Sequence, residues 1–447
     1  SLARFVVEVV EQLDTSALEN AYRGGGSAPY PPKMMLALLF YCYAQGIFSS
    51  RKIERATYEW IPVIYLAGGW HPDHDSINRF RKRFLSELGL IFVMILQIAH
   101  GLGVFKLGEI SLDGTKIKAN ASKHKAMSWA YACRLEEQLR TEVEDLLKRA
   151  ETENAKAGKE FDLPAEMARR EQRLEKIAEI KAELETRAQA RYEQEQADYD
   201  AKLVERAAKE AERGRKLGGR VPKAPEPGPR PQDQVNFTDP DARILPTSGG
   251  GFIQGYNAQA SVEIETLLIV GQHMSQKSND KQEVEPALAE LNTLPEAFGK
   301  VERAALDNGY FSAANVEKIV AQEIEPYIAS ARQNHNPTLE ERQDVPGQGA
   351  ANPTPVEAVP PSPSVLSSEV DRPANPTPVE AMQQRMKTAQ GKTFYAKRKS
   401  TVEPVFGIIK EVMGFRHFLL RGFEAVKGEW TLVCIAYNLK RLCALNT

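Results

Sequence analysis

Cysteine is scarce in this sequence, and the few cysteines are widely spaced. There are four among 447 residues, and no two form a CxxC pair. Neither a disulfide framework nor a zinc site is therefore predicted, and a reducing cytosol is expected. Long apolar runs are also missing, since the longest, Met34 to Ala44, is too short to cross a bilayer. No basic-then-apolar leader opens the printed chain, so neither a secreted nor a membrane protein is expected.

An excess of charge of one sign is absent as well. The chain has 58 Lys and Arg against 60 Asp and Glu, for a net charge of -2. This balance excludes a histone-like basic protein and an acidic disordered tail. It conceals local excesses, because residues 49–83 contain seven basic and four acidic residues, and residues 383–447 contain twelve and four. Both segments suit a surface that handles phosphodiesters.

The first hundred residues have the pattern of a compact helical domain. Two prolines precede an apolar run long enough for a buried helix. Ser49 and Ser50 offer an N-cap for a second helix, and a third starts after Asp73 or Asp75. One edge of this third helix carries four basic residues, Arg79, Arg81, Lys82 and Arg83. Such an edge suits an element that faces a DNA duplex, and a solvated surface helix explains it equally well.

Residues 125–232 have a composition unlike the rest of the chain. They are dominated by Ala, Glu, Lys and Leu, with 23 basic and 23 acidic residues. Apolar residues recur at helical spacing in two runs, around Leu139 and around Ile177. Gly158 and Pro164 separate the runs, which predicts an antiparallel coiled-coil hairpin. A charged, solvated spacer explains the composition as well.

The remaining segments alternate strand and helix patterns, which indicates a mixed α/β sheet. Strands are predicted at 109–117, 251–263, 267–274, 301–306 and 326–329, and helices at 281–291, 313–322, 401–412 and 425–442. Trp430, in the last helix, is predicted to lie in the core. Residues 333–393 are rich in Pro, Ser and Gln and repeat ANPTPVEA at 351–358 and 374–381, so a disordered linker is predicted.

Three carboxylates occur at positions that favour a site. Asp113 lies in mid-strand, where an acidic residue is unfavourable unless it faces a ligand. Asp307 ends a predicted strand, at the edge where α/β proteins usually bind ligands, and Glu403 opens a predicted helix. Together they can converge on Mg²⁺, which prefers oxygen ligands and supports in-line phosphoryl transfer when two ions are held. Each alone is explained as a turn cap, a hairpin turn or a first-turn helix residue.

Several segments resemble the DDE transposases of bacterial insertion sequences, a family with a ribonuclease H-like catalytic core. SSRKIER (49–55) and the stretch from HPDHDSI (71–77) through Arg83 resemble its N-terminal domain. SLDGTKIKANASK (111–123) and ALDNGYF (305–311) resemble its two aspartate blocks. YAKRKSTVEPVFGIIK (395–410) resembles its glutamate block, in which a tyrosine, a basic residue, a glutamate and a lysine stand at set spacing.

This resemblance implies that Asp113, Asp307 and Glu403 form a catalytic, metal-binding triad. It implies two Mg²⁺ ions, with Mn²⁺ accepted in their place. Together with the basic helix edge, it suggests DNA contacts by Arg79, Arg81, Lys82, Arg83, Lys116, Lys118, Tyr395, Arg398, Lys399 and Lys410. Arg398 fits the family spacing from the tyrosine and Lys399 the spacing from the glutamate, so both stay candidates for the basic residue.

The sequence thus predicts an α/β protein with a ribonuclease H-like mixed-sheet core, an N-terminal all-helical DNA-binding domain and an inserted coiled-coil hairpin. The predicted parts are the DNA-binding domain 1–104, the core 105–124, the hairpin 125–232, the core again 233–332, the linker 333–393, and the C-terminal helices of the core 394–447. The expected function is that of a transposase that binds terminal inverted repeats and performs metal-dependent cleavage and strand transfer.

The expected partners are double-stranded DNA, as inverted repeats and as target, and a second copy of the chain, with no membrane. The expected location is the bacterial cytosol, with nucleoid association when DNA is bound. Three alternatives stay open. They are a hydrolytic nuclease of the same fold, a catalytically inactive DNA-binding derivative, and a coiled-coil scaffold.

Overall fold

The chain divides into two compact units in the computed structural model, which describes residues 1–22, 29–122, 125–153, 163–216, 218–219, 221–247, 249–330 and 376–446. The first unit comprises Ser1–Thr115, Ala258–Phe415 and Trp430–Thr447, and the second comprises Lys116–Asn257 and Arg416–Glu429. Within the described residues, no single helix is long and apolar enough to cross a membrane. One pair, His74–Arg83 with Leu88–Gly101, meets the length and composition criteria jointly but is bent by 83°.

Helices fill the N-terminal part of the first unit. They are α1 Leu2–Gln12, α2 Ser16–Asn20, α3 Pro32–Ala44, α4 Ser50–Glu59, α5 Ile61–Leu66, α6 His74–Arg83 and α7 Leu88–Gly101. Every residue of α3 from Met35 to Ala44 is buried, as expected for a helix that is apolar on all sides. The Asp73 side chain caps α6 by accepting the amide hydrogens of Asp75 and Ser76. The helix start predicted after Asp73 or Asp75 is therefore confirmed, with Asp73 as the N-cap.

The strands form one mixed sheet and a short separate ladder. They are β1 Glu109–Lys118, β2 Ala126–Ser128, β3 Gln234–Asn236, β4 Arg243–Thr247, β5 Gly251–Glu263, β6 Ile269–Ser275, β7 Arg303–Leu306 and β8 Glu325–Ile328. In the first unit β1 pairs in parallel with β7, and β7 pairs in parallel with β8. On the other side of β1 lies β5, which also pairs with β6. The mixed α/β class predicted from the sequence is confirmed.

Two long helices dominate the second unit, α8 Trp129–Glu153 and α9 Leu163–Arg213. They pack around an apolar cluster of Met127, Ala132, Leu139, Ile177, Ile180, Leu184 and Val235. Lys181 of α9 pairs with Glu136 of α8, and Arg170 of α9 pairs with Glu142 of α8. A residue later in α9 is thus paired with a residue earlier in α8. The helices therefore run in opposite directions. The reversal was predicted at Gly158 and Pro164: Gly158 lies outside the described residues, and Pro164 is the second residue of α9.

Short antiparallel pairings complete the second unit. Strand β2 pairs with β3, with Met127 opposite Val235, and this ladder lies where α8 begins. The first residues of β5 pair with β4. The backbone amide of Ala130 donates to the carbonyl of Pro231 at 3.2 Å, so the chain leaves for the helical pair and returns from it at neighbouring points.

The remaining helices belong mainly to the first unit. They are α10 Val284–Asn292, α11 Ala313–Ala321, α12 Pro378–Lys387, α13 Ala389–Gly407 and α14 Phe423–Leu445. Trp430 in α14 is fully buried and donates its indole N–H to the Gln259 carbonyl at 3.2 Å. The core position predicted for Trp430 is confirmed, and replacement by Ala would cost about 3–5 kcal/mol.

Residues 378–393 differ from the sequence prediction, which placed them in a disordered linker. They form α12 and the first turn of α13. The reason is local capping chemistry, because Thr377 and Glu380 make a reciprocal capping box and Pro378 occupies the first helical turn. The rest of the predicted linker up to residue 375, with the first copy of the repeat, lies outside the described residues.

Glu403 also differs from its predicted place at the start of a helix. Helix α13 begins much earlier, at Ala389, where the Thr388 side chain accepts the Gly391 amide hydrogen. Glu403 therefore lies near the end of the helix and is followed by Pro404. Proline within a helix removes a backbone donor, and α13 passes after Gly407 into a π-helical turn, Ile408–Val412.

Candidate active site

Sheet register brings two of the predicted carboxylates together. Leu112 of β1 lies opposite Leu306 of β7 in a parallel pairing, so Asp113 and Asp307 are the next residues along neighbouring strands. Asp307 follows the last residue of β7 and precedes a 3₁₀ turn, Asn308–Tyr310. Both side chains therefore lie near the carboxyl end of β7, the edge of a parallel sheet where ligands usually bind.

Arg398 of α13 links these two residues to the third predicted carboxylate. Its Nη1 donates to Asp113 Oδ2 at 3.2 Å. Its Nη2 lies 3.5 Å from Asp307 Oδ1 and 3.4 Å from Glu403 Oε1. The Arg398 and Asp113 side chains are 11% and 20% exposed, whereas Asp307 and Glu403 are 49% and 51% exposed. Three carboxylates thus converge on one guanidinium, and two of them are open to solvent.

The charges in this cluster shift the protonation of its members. Burial raises the pKa of Asp113 to about 7, and the nearby Asp307 and Asp280 carboxylates raise it further. The hydrogen bond from the Gly114 amide and the attraction to Arg398 act in the opposite direction and lower this pKa. Burial opposes the charge on Arg398, but Asp113 and Asp307 keep the pKa of Arg398 above its ordinary value. One guanidinium does not offset the full charge of three ionised carboxylates, so the cluster favours further cations.

The raised pKa of Asp113 predicts a pH-dependent stability without divalent ions. The folded protein holds this proton up to about pH 7, whereas the unfolded chain releases it near 3.8. The stabilisation is complete below the lower value and is lost as pH rises through the higher one, by up to about 1.4 kcal/mol per pH unit. Melting temperatures measured in chelator should therefore decrease between about pH 4 and about pH 7 and level off above that range.

The control for this prediction removes the titrating group. Asp113→Asn should give a flatter dependence of melting temperature on pH, because an amide does not ionise. The exposed carboxylate variant Glu317→Gln, in α11, should keep the wild-type slope. An equal slope in wild type and Asp113→Asn would show that Asp113 ionises normally.

The other predicted residues of the glutamate block have different surroundings. Tyr395 is buried against Ala305, Tyr327 and Phe394, and burial raises its pKa. Lys399 is exposed, whereas Arg398 meets the carboxylates, so the structure places Arg398 in the cluster. Lys410 Nζ bonds to the Thr115 hydroxyl, and burial lowers the pKa of Lys410.

The basic residues predicted on the α6 edge separate into two groups. Arg79, Lys82 and Arg83 are exposed. Arg81 is buried, and its Nη1 donates to the Tyr43 hydroxyl and the Phe48 carbonyl, so it does not share that surface as predicted. The sequence prediction placed Arg81 on the exposed edge with the other three basic residues, but α6 presents this position to Tyr43 of α3.

Lys116 and Lys118, predicted as further DNA contacts, belong to the second unit. Lys116 Nζ donates to the Pro246 carbonyl at 2.7 Å, and Lys118 is exposed at the end of β1.

Sequence reasoning missed Asp280 and Gln259, which lie beside the cluster. Asp280 Oδ1 accepts the Gln259 side-chain amide at 2.9 Å, and Gln259 accepts the Tyr310 hydroxyl. The signal in the sequence was weak for both residues. Gln259 is a polar residue within the buried part of strand β5. Asp280 follows Ser and Asn in a short polar turn before α10. Neither pattern by itself separates a site residue from a turn residue.

The donor chemistry of the cluster suits a hard divalent cation, because all three candidate ligands are carboxylates. Within the described residues, however, no group of three His, Cys, Asp or Glu side chains lies close enough together to hold an ion in the present geometry. Arg398 occupies the centre instead, and its buried Nε has no hydrogen-bond partner among the described residues. An ion shared by the three carboxylates would therefore compete with the guanidinium for the same oxygens.

Comparison with known protein families gives two matches. A family model described as Transposase DDE domain matches residues 223–439, and one described as Transposase domain (DUF772) matches residues 1–83. No curated protein and no solved structure matches the chain. Asp307 and Glu403 lie inside the first matched stretch, whereas Asp113 precedes it, so the place of Asp113 in the site depends on the register of β1 with β7.

Proposed function

Because the chain belongs to the DDE-type transposases of insertion sequences, we propose that it binds the terminal inverted repeats of its element and carries out metal-dependent DNA cleavage and strand transfer. One observation carries this proposal. Carboxylates from β1, from the end of β7 and from α13 meet at a single guanidinium on a partly open face. A merely structural ion pair would not need three carboxylates around one arginine.

The proposed ligands of the divalent ions, Mg²⁺ or Mn²⁺, are Asp113, Asp307 and Glu403. Bound there, two ions would activate water or a 3′-hydroxyl and stabilise the leaving oxygen. Asp113 must give up its proton to serve as a ligand, since metals bind the carboxylate form. Arg398 holds the carboxylates near one another beforehand, and its guanidinium then turns toward a DNA phosphate, for which its planar fork is well suited.

Supporting roles are proposed for the neighbouring residues of the glutamate block. Lys410, close to Asp113 and held by Thr115, adds positive charge beside the scissile phosphate. Tyr395 supports the Arg398 guanidinium, which lies 6.0 Å from the centre of its ring. Lys399 is exposed and is left as a contact to the DNA backbone away from the ions.

The decisive experiment separates transposition chemistry from hydrolysis. A duplex that ends in an inverted repeat with a free 3′-hydroxyl is incubated with the protein, Mg²⁺ and a supercoiled plasmid. Joining of the labelled end to the plasmid is expected. Cleavage without joining would identify a hydrolytic nuclease, and end binding without either reaction would identify an inactive derivative.

The exposed basic edge of α6 is proposed to contact the phosphates of the element end. Replacing Arg79 and Lys82 by Gln in the full chain should weaken binding at every DNA sequence, because phosphate contacts carry no base information. Each lost contact should also reduce the slope of log K against log salt concentration by about 0.9. Gel shift or fluorescence anisotropy over a salt series measures both effects.

A matched pair of lysines controls for the change in net charge. Lys300 and Lys318 are exposed and paired with Glu323 and Glu285, so their replacement by Gln should leave the salt slope unchanged. If the Arg79 and Lys82 variant bound with the wild-type slope, α6 would not be a phosphate-contacting element.

Three further parts of the sequence prediction are proposed on the present fold. The parallel strands β1, β7 and β8 with β5 and β6 beside them support a ribonuclease H-like core. The apolar cluster and paired charges between α8 and α9 support a coiled-coil hairpin. A homodimer is proposed because two element ends must be held at once, and Val204, 72% exposed on α9, is available for such a contact.

A further inference from the structure

Asp280 lies in the turn between β6 and α10 and belongs to a chain of side-chain hydrogen bonds. Its Oδ1 accepts from Gln259 Nε2 at 2.9 Å. Gln259 Oε1 in turn accepts a hydrogen bond from the Tyr310 hydroxyl. The side chains of Gln259 and Tyr310 are both completely buried. Each end of the Gln259 amide is therefore satisfied by one specific partner, which is the condition for a rigid buried polar network.

One side of this chain rests directly on the backbone next to Asp113. A Cβ atom placed on Gly114 would lie 2.1 Å from Gln259 Nε2 and 2.9 Å from Asp280 Oδ1. Cβ atoms essentially never lie this close to another heavy atom, so a side chain at this position would have to displace the Gln259 amide or the Asp280 carboxylate. The Gly114 amide meanwhile donates to Asp113 Oδ1 at 2.8 Å. The position of the Gln259–Asp280 pair thus determines where the peptide that orients Asp113 can lie.

The other side of the chain rests on the turn that follows Asp307. A Cβ atom on Gly309 would lie 3.4 Å from Asp280 Oδ2. The Tyr310 backbone amide donates to the Asp307 carbonyl at 3.1 Å, and its hydroxyl binds Gln259. Asp280 therefore lies beside both of the glycine-containing segments that carry the two aspartates.

We propose that Asp280, acting through Gln259 and Tyr310, is a positioning residue that fixes the Asp113 and Asp307 carboxylates relative to each other for metal binding. This inference rests on the proposed function. Ligands for a divalent ion must be held to within about 0.5 Å, and hydrogen-bond partners behind the ligands commonly set metal affinity. The competing possibility, that Asp280 itself ligates an ion, gives a different result in the experiment below.

The experiment compares Asp280→Ala, which removes the acceptor, with Asp280→Asn, which keeps an oxygen for Gln259 Nε2 but loses the charge. Glu285→Ala, at an exposed carboxylate in α10 paired with Lys318, is the matched control. Mn²⁺ affinity of the full chain is measured by titration calorimetry without DNA. Asp280→Ala should bind Mn²⁺ about 10–100-fold more weakly, whereas Asp280→Asn and the control should stay close to wild type. An Asn variant as weak as the Ala variant would overturn positioning in favour of direct ligation.

A metal-free measurement tests the same inference independently of the proposed function. Hydrogen exchange is followed in the full chain with chelator, in peptides that cover residues 111–115 and 307–311. Exchange should be faster in both segments for Asp280→Ala and unchanged for Asp280→Asn. Wild-type exchange in the Ala variant would overturn the proposal. Failure of the wild type to bind Mn²⁺ would instead count against the proposed function, and the exchange data would still decide this inference.

The single variant Tyr310→Phe keeps the test informative if Asp280→Ala is poorly folded, and a double-variant cycle extends the test if Asp280→Ala folds. Tyr310→Phe removes only the hydroxyl that Gln259 accepts, so its ring packing is kept. Tyr310→Phe should weaken Mn²⁺ binding, as Asp280→Ala does. Because both residues act through the Gln259 amide, the double variant should lose less Mn²⁺ affinity than the product of the two single losses. Fully multiplicative losses, or no effect of Tyr310→Phe, would contradict a connected chain.

Discussion

Replacing Asp307 by Asn is expected to abolish DNA cleavage while terminal DNA binding stays within a few fold of wild type. Asp307 lies at the end of β7, 3.5 Å from the Arg398 guanidinium, and is half exposed. Loss of a metal-binding carboxylate removes several kcal/mol of transition-state stabilisation, which corresponds to a rate at least about 10³-fold lower. The rate of strand cleavage and the affinity for an inverted-repeat duplex are measured on the same preparation.

The control for Asp307→Asn is a carboxylate of the same region that lies outside the cluster. Glu317 in α11 is exposed, and Glu317→Gln should cleave like the wild type. Mn²⁺ affinity without DNA should fall in Asp307→Asn and not in the control. Cleavage by Asp307→Asn at the wild-type rate would remove Asp307 from the proposed triad, whatever its place in the fold.

Removal of the α8–α9 pair is expected to abolish assembly of paired element ends and to leave the first unit folded. The Ala130 amide already bonds to the Pro231 carbonyl, so a short Gly/Ser linker can replace residues 131–230 without pulling on the β2–β3 ladder. Five of the seven buried residues of the apolar cluster belong to the pair, and the other two, Met127 and Val235, lie in the β2–β3 ladder. Circular dichroism, a thermal melt and an end-pairing assay measure the result.

Two comparisons make the deletion informative. Binding of a single element end should be nearly unchanged, whereas paired ends should decrease by at least about tenfold, as expected when a bivalent assembly loses one of its contacts. A full-length variant with Lys209 and Glu205 replaced by Gln removes an exposed ion pair of α9 and should pair ends normally. Normal pairing by the deletion would make the helical pair a passive insert, and an unfolded deletion would show that the first unit depends on it.

Local sequence patterns were sufficient to predict most elements of the fold. Strand β5 was predicted with its observed bounds, and α11 and β7 within two residues. In these elements the apolar residues recur at a clear strand or helix period, and residues that favour the start or end of an element stand at their ends. The local pattern therefore predicts the same element that the tertiary packing stabilises. The prediction failed at residues 378–393, where composition indicated disorder but a capping box and burial of Met382 support a helix.

The candidate site was predictable only in part. Asp113 and Asp307 could be proposed because an acidic residue in or just after an apolar strand is a local anomaly. Glu403 was proposed as a residue that opens a helix and then through the resemblance of its block, and its observed position near the end of α13 was not anticipated. The choice between Arg398 and Lys399 could not be made from spacing, since the two fit different intervals of the same block.

The sequence by itself determined many of the strands and helices, which residues are the candidate carboxylates, and the resemblance to a transposase family. These depend on periodicity, on capping and on residue type, which act over a few neighbouring residues. Only the tertiary structure decided that Arg398 lies among the carboxylates, that Arg81 is buried, and that Asp280 lies beside the glycines of two separate aspartate segments. Such relations join residues far apart in the chain, and they arise from strand register and helix packing.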